Sequence, residues 1–129
     1  YPDPIQKDKQ ATDNDFTKAI EHCIENINTV SLCAGTHNEK SVLHLTDLMK
    51  KSSLKNNDSR IFFAQLLGMS DHISYNLSEQ GYNVAKYVPY GPIKEVIPYL
   101  IRRAKENTSV SGQTGRELSL IKIELENRN

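Results

Sequence analysis

Apolar positions follow two alternating rhythms along the chain, one of period near 3.6 and one of compact β-type runs. Phe16, Ile20, Cys23, Ile24 and Ile27 recur at helical spacing and predict a helix over about 13–26, with Thr12, Asp13 or Asn14 as its cap. Residues 1–11, rich in Pro, Lys and Asp, read as a connecting loop. Thr29 to Ala34 forms a short strand-like run, and Gly35-Thr36-His37-Asn38 turns the chain. Val42, Leu43, Leu45, Leu48 and Met49 predict a second helix over about 39–51. Past a polar loop that reaches Ser59, residues Arg60 to Leu67 form an almost continuously apolar strand. Gly68-Met69 leads into a third helix, about 70–80, capped by Ser70 or Asp71 and stopped by Gly81. A third strand over 83–88 ends at Pro89.

The stretch after Gly91-Pro92 predicts a helix over about 92–107, with Pro92 at its first position. At about 100° per residue, Ile93, Val96, Ile97, Leu100, Ile101 and Ala104 fall on one side. Tyr99, Arg103 and Glu106 fall on the opposite side, with Arg102 and Glu95 beside them. Two arginines, a tyrosine and a carboxylate on one face could receive a carboxylate, because the planar guanidinium pairs with it through two parallel bonds. They could equally form a solvated outer face, with Arg102 and Glu106 paired at i, i+4. A Ser/Thr/Gly linker over about 107–115 and an amphipathic helix over about 116–126, carrying Leu118, Leu120, Ile121, Ile123 and Leu125, close the chain.

The order is α-β-α-β-α-β-α-α, which indicates parallel βαβ units. Strands with little alternation suggest cover on both faces, as in a doubly wound sheet or a (βα)8 barrel. Ligands in such folds collect at the carboxyl ends of the strands. Three such ends are polar or Gly-rich: Thr36-His37-Asn38, Gln65 with Gly68-Met69, and Tyr87 with Tyr90-Gly91.

Composition narrows the function classes. Lys+Arg and Asp+Glu number 16 each, so the zero formal charge gives no electrostatic case for nucleic acid. No apolar run approaches the roughly 18–20 residues that span a bilayer. The start of the chain has neither a signal-peptide core nor a transit-peptide composition, and lacks an initiator Met, as in a processed or excised segment. Cys23 and Cys33 make no metal or disulfide pattern and read as reduced, structural residues.

Thr36, His37 and Asn38 stand at a helix N-terminus, where exposed N–H groups and the helix dipole favour anions such as phosphate. Thr36 or Asn38 could instead serve only as the helix cap. No second ligand lies at metal spacing from His37, so no metal site is expected, and His22, His44 and His72 fall within helices. No G-x-G-x-x-G, P-loop or G-x-S-x-G motif is present, which argues against those nucleotide sites and against a hydrolase elbow.

Three longer stretches, Ala64-Gln-Leu-Leu-Gly-Met-Ser-Asp71, Lys86-Tyr-Val-Pro-Tyr-Gly-Pro92 and Pro98-Tyr-Leu-Ile-Arg-Arg-Ala-Lys-Glu-Asn107, resemble the C-terminal part of the proline dehydrogenase (proline oxidase) family. Gly35-Thr-His-Asn38 is similar to that family's turn after its sixth strand. The resemblance implies an FAD-dependent (βα)8, TIM-like barrel of which these are the last three βα units plus a C-terminal helix, with residues 1–111 in the barrel and 112–129 in the helix. It implies oxidation of L-proline to Δ1-pyrroline-5-carboxylate, hydride transfer to the flavin, and electron delivery to a membrane quinone. The wording is nearer to animal enzymes, which implies mitochondria, with peripheral association at the matrix side of the inner membrane.

Carried over by position, Arg102 and Arg103 would pair with the proline carboxylate, Tyr87 and Tyr99 would wall the pocket, and Leu66 would pack on the ring. Thr36, His37, Asn38 and Glu106 would hold FAD. No residue of this stretch is assigned a catalytic proton-transfer role. The similar hydroxyproline dehydrogenases carry Ser where Tyr87 stands, so Tyr87 favours proline, with hydroxyproline as the alternative substrate. A degenerate interaction module is the non-enzymatic alternative. The barrel's first five strands, with a further lysine and arginine of the family's site, have no counterpart here. Three strands cannot close a barrel, so the segment is expected to be inactive alone, with the N-terminal half of the barrel as its partner.

Overall fold

Three short parallel strands and four helices alternate in a computed structural model that describes residues 6–109 together with Ser119, Lys122, Ile123, Leu125 and Glu126. They are α1 (Lys9–Glu25), β1 (Leu32–Gly35), α2 (Glu39–Lys51), β2 (Ile61–Leu66), α3 (Asp71–Glu79), β3 (Val84–Tyr87) and α4 (Ile93–Ser109). The sheet order is β1-β2-β3, both pairs parallel. This is the predicted α/β order. The five residues described after α4 are helical. The rest of the expected 116–126 helix, and the boundary between 111 and 112, lie outside the described residues.

Several ends differ from the sequence reading. α1 begins at Lys9, inside the expected loop, because the Asp8 carboxylate accepts the Ala11 N–H at 2.8 Å and caps it. Residues 29–31 do not join the ladder, which starts with Leu32 opposite Ile61. α4 runs two residues past the predicted end, to Ser109, and Pro92 precedes its first residue, the carbonyl accepting the Val96 N–H at 3.1 Å.

The largest departure is the sheet's cover. Because strand side chains alternate, Ile61, Phe63 and Gln65 face one way and are buried, while Phe62, Ala64 and Leu66 face the other. Helices α1, α2 and α3 bury against the first face, in a single core built on Ile20, Leu45, Met49, Ile61 and Phe63. Tyr82 closes it with its ring edge-on to Phe63 at 5.4 Å. On the opposite face Cys33, Phe62, Ala85 and Tyr87 are exposed among the described residues. The cover on both faces that the apolar strands suggest is therefore not supplied by this stretch: strand hydrophobicity reports what the surface is made for, not whether this stretch of chain covers it.

A polar lock closes the amino ends of the strands. Arg60 forks onto Asp58 through Nε at 2.8 Å and Nη2 at 2.6 Å, and its Nη1 donates to the Ile27 carbonyl at 3.3 Å. Asn83 adds bonds to the Asp58 and Ile61 carbonyls at 2.8 and 3.1 Å, tying the start of β3 to the same loop. Hydrogen bonds from the Arg60 side chain and backbone hold the Asp58 carboxyl at about 2, well below its ordinary 3.8. A depressed folded-state pKa stabilises the fold at pH values above the unfolded one, and that stabilisation disappears as pH falls through the folded one. Acid unfolding of the protein and of Asp58→Ala should therefore converge as pH drops from about 4 towards 2, while above about pH 5 the variant stays less stable by a constant margin. Equal stability of the two at neutral pH would remove the lock from this account.

Candidate functional site at the carboxyl ends of the strands

The turn after β1 is set by local bonds. Thr36 N–H continues the ladder to the Ala64 carbonyl at 3.2 Å, and Thr36 Oγ1 accepts the Asn38 N–H at 3.1 Å. Asn38 caps α2, its Oδ1 accepting the Lys40 N–H at 3.0 Å. The Asp13 carboxyl lies below its ordinary range, chiefly through its bond to Lys9, with a smaller contribution from Asn38. His37 points across to the next strand end: Nδ1 lies 2.9 Å from Ser70 Oγ, and the Leu66 N–H faces Nε2 at 3.5 Å.

Beneath His37 lies a buried polar relay. Gln65 is 2 % exposed, and its Nε2 donates to the Thr36 carbonyl at 3.4 Å. Its Oε1 accepts from Ser74 Oγ at 2.9 Å. Ser70 is 1 % exposed and has a left-handed backbone, φ 51°, uncommon for a residue with a Cβ. It precedes α3 but makes no capping bond with its side chain, so the hydroxyl that the sequence marks as a cap is turned to His37 instead. On the other flank Lys86 donates to the Met69 carbonyl and to Asp71, both at 2.7 Å, fastening the 67–70 turn to β3.

The second half of the site comes from β3 and α4. Gly91, at φ 149°, a value that residues with a Cβ rarely adopt, and Pro92 redirect the chain so that α4 passes the strand ends. Tyr99 and Arg103, four residues apart, are half-buried, whereas Ile93, Ile97, Leu100 and Ile101 are exposed. The polar side of the helix is thus the side turned inward at Tyr99 and Arg103, and the solvated-face reading fails for these two residues. Tyr87 and Tyr99 meet edge to face with centroids 5.9 Å apart, and the Arg103 guanidinium lies 5.4 Å from the centre of the Tyr99 ring. Leu66 sits beside Tyr87 in register, and with Met69 and Pro89 these residues line a hollow of about 50 Å³.

Of the residues singled out by sequence, Leu66, Tyr87, Tyr99 and Arg103 come together. Thr36, His37 and Asn38 form a second group at the same end of the sheet. Arg102 is exposed on α4. The Glu106 side chain lies outside the described residues. Gln65 and Lys86 are polar groups whose structural work the sequence reading leaves unassigned, and Ser70 reads there only as a helix cap, a bond its side chain does not make. A signal for Gln65 was present: it falls in step with Ile61 and Phe63, and a polar side chain on a core-facing position must find partners. A cation stacked on an aromatic wall, beside an aliphatic floor, suits a small molecule with a carboxylate and an apolar body.

The protein is thus an α/β chain with its candidate ligand groups gathered at the carboxyl ends of parallel strands. The family model described as proline dehydrogenase matches residues 1–116, and the chain belongs to the proline dehydrogenase family. It is 41% identical over 128 residues to proline dehydrogenase 1, mitochondrial, of Homo sapiens, covering 97% of this chain and 21% of that protein. It is 39% identical over 132 residues to hydroxyproline dehydrogenase of Xenopus laevis, covering 99% of this chain and 28% of that protein. The crystal structure of proline utilization A (PutA) from Bdellovibrio bacteriovorus, inactivated by N-propargylglycine, superposes with a TM-score of 0.75 at 25% identity, over 84% of this chain and 11% of that one. The chain spans about a fifth to just over a quarter of the length of the curated relatives.

Proposed function

We propose that this chain is the C-terminal part of a (βα)8 barrel that oxidises L-proline to Δ1-pyrroline-5-carboxylate with FAD, in mitochondria. Sequential strand order, parallel pairing and the packing of α1, α2 and α3 on one face of the sheet are what an arc of such a barrel requires. The uncovered face with Phe62, Leu66 and Tyr87 would be the barrel interior, and the N-terminal half would close it. A doubly wound sheet would need helices on both faces. Relatives named as mitochondrial support the compartment. Quinone as the electron acceptor and peripheral contact with the matrix side of the inner membrane complete the reading.

The observation that carries the substrate assignment is the Tyr87–Tyr99–Arg103 cluster. Arg103 and Arg102 pair with the proline carboxylate, and Tyr99, stacked on Arg103, limits the directions in which that guanidinium can point. Tyr87 and Leu66 pack against the apolar ring and keep water from it. Oxidation takes a hydride from the ring carbon and a proton from the nitrogen, leaving a carbon–nitrogen double bond.

For the cofactor, Thr36, His37, Asn38 and Glu106 are assigned to FAD. The 36–38 turn fits a phosphate- or ribose-bearing group. It opens onto the N-terminus of α2, and no heavy atom lies within 4 Å of the position a Cβ on Gly35 would take. The side chains of Thr36 and Asn38 are engaged in the turn itself, so their contribution is through the backbone they hold. FAD, when bound, supplies the hydride acceptor.

In the full-length enzyme, Arg103→Ala should raise KM for proline by roughly 30- to 1000-fold, the equivalent of about 2–4 kcal/mol for a lost charge-assisted pair. An unchanged KM would make the arginine structural, and absence of proline-dependent dye reduction by the parent protein with FAD present would sink the assignment. Hydroxyproline is the second reading, favoured by relatives of that name at 39–42% identity. Tyr87 crowds a ring hydroxyl, so Tyr87→Ser should shift the kcat/KM ratio towards 4-hydroxyproline. A wild-type protein that already prefers hydroxyproline would reverse the reading.

A further inference from the structure

We propose that Ser70 and Gln65, with Ser74, are positioning residues that hold His37 in one tautomer and one orientation, and so shape the Thr36–Asn38 turn for its ligand; this rests on the flavin reading of that turn. The tautomer follows from the two contacts. The Leu66 N–H faces Nε2, so Nε2 is the accepting nitrogen. The ring proton of the neutral imidazole is then on Nδ1, where it donates to Ser70 Oγ at 2.9 Å. Ser70 is fixed in turn by its surroundings. It is buried, its carbonyl accepts from Ser74 Oγ at 3.3 Å, and the same Ser74 hydroxyl lies 2.9 Å from Gln65 Oε1. The other end of the Gln65 amide reaches the Thr36 carbonyl.

The relay thus starts and ends on the same turn, entering at Thr36 and returning at His37. Its members sit on β2 and the start of α3, whereas the turn's own capping bonds stay between Thr36, Asn38 and Lys40. The left-handed backbone at Ser70 aims the hydroxyl at the ring instead of at the helix end, where a serine in that place would ordinarily bond. An uncommon conformation held by a buried network is the pattern by which a fold fixes the geometry of a functional group. None of the three residues need touch the ligand.

Ser70→Gly separates this role from backbone strain, because glycine adopts the positive φ freely while removing the hydroxyl. In the full-length protein, selective ¹⁵N labelling of histidine should show the Nδ1-protonated neutral form for His37, and Ser70→Gly should abolish that signature. The variant, still folded by circular dichroism, should bind FAD about tenfold more weakly, the equivalent of one hydrogen bond. Its KM for proline at saturating FAD should stay within about twofold. Gln65→Leu and Ser74→Ala should move the same two readouts in the same direction. Wild-type FAD affinity together with an unchanged histidine signature in Ser70→Gly would overturn the positioning role. A wild-type protein that takes up no FAD would instead overturn the flavin reading, while the tautomer measurement still decides whether Ser70 holds the ring.

Discussion

Once Phe63 is committed to the helix-covered core, the two-residue period of a strand decides where every neighbour in β2 must point. Ile61 and Gln65 go inward with it, and Phe62, Ala64 and Leu66 go to the uncovered side. Parallel register then carries the decision across the sheet. Gly35 lies opposite Ala64, and Leu66 lies opposite Tyr87. A one-residue slip of β2 would exchange the buried and uncovered sets, separating Leu66 from Tyr87 and leaving Gln65 without its partners. The candidate site is therefore a consequence of core packing, not a separate construction laid over it.

The two ends of the sheet use polar residues differently. At the amino ends, Asp58, Arg60 and Asn83 bond one another and backbone carbonyls, which joins the loops before β1, β2 and β3. At the carboxyl ends, the Gln65–Ser74–Ser70–His37 relay and the Lys86 clamp hold turns whose outer surfaces stay open. Closed bonding at one end and presented groups at the other is the division of labour seen in parallel α/β folds. The two sides of α4 fit the same picture: Tyr99 and Arg103 face the strand ends, and the isoleucines of the apolar side are exposed.

Local signals were sufficient wherever an element's stability is local. The bounds of α2 are those the spacing of Val42, Leu45 and Met49 predicts, and Gly81 does follow α3. They failed where a residue had two readings of equal local quality. Asp8 stands among Pro, Lys and Asp residues that look like loop, yet it caps α1. Cys33 stands in an apolar run, yet it is exposed. Ser70 has the composition of a helix cap, and its hydroxyl goes elsewhere.

The sequence by itself determined the α/β alternation, the parallel sheet, the family and the identity of the residues at the strand ends. Periodicity, turn chemistry and the Tyr-x-x-Arg-Arg-x-x-Glu-Asn motif are properties of neighbouring residues along the chain. Only the tertiary structure decided which face of the sheet is covered, which side of α4 turns inward, and that Gln65, Ser70 and His37 form one relay. The relay depends on residues separated by 29 to 33 positions being brought within hydrogen-bonding distance. No spacing along the chain encodes that distance; the register of the strands and the path of the turns set it.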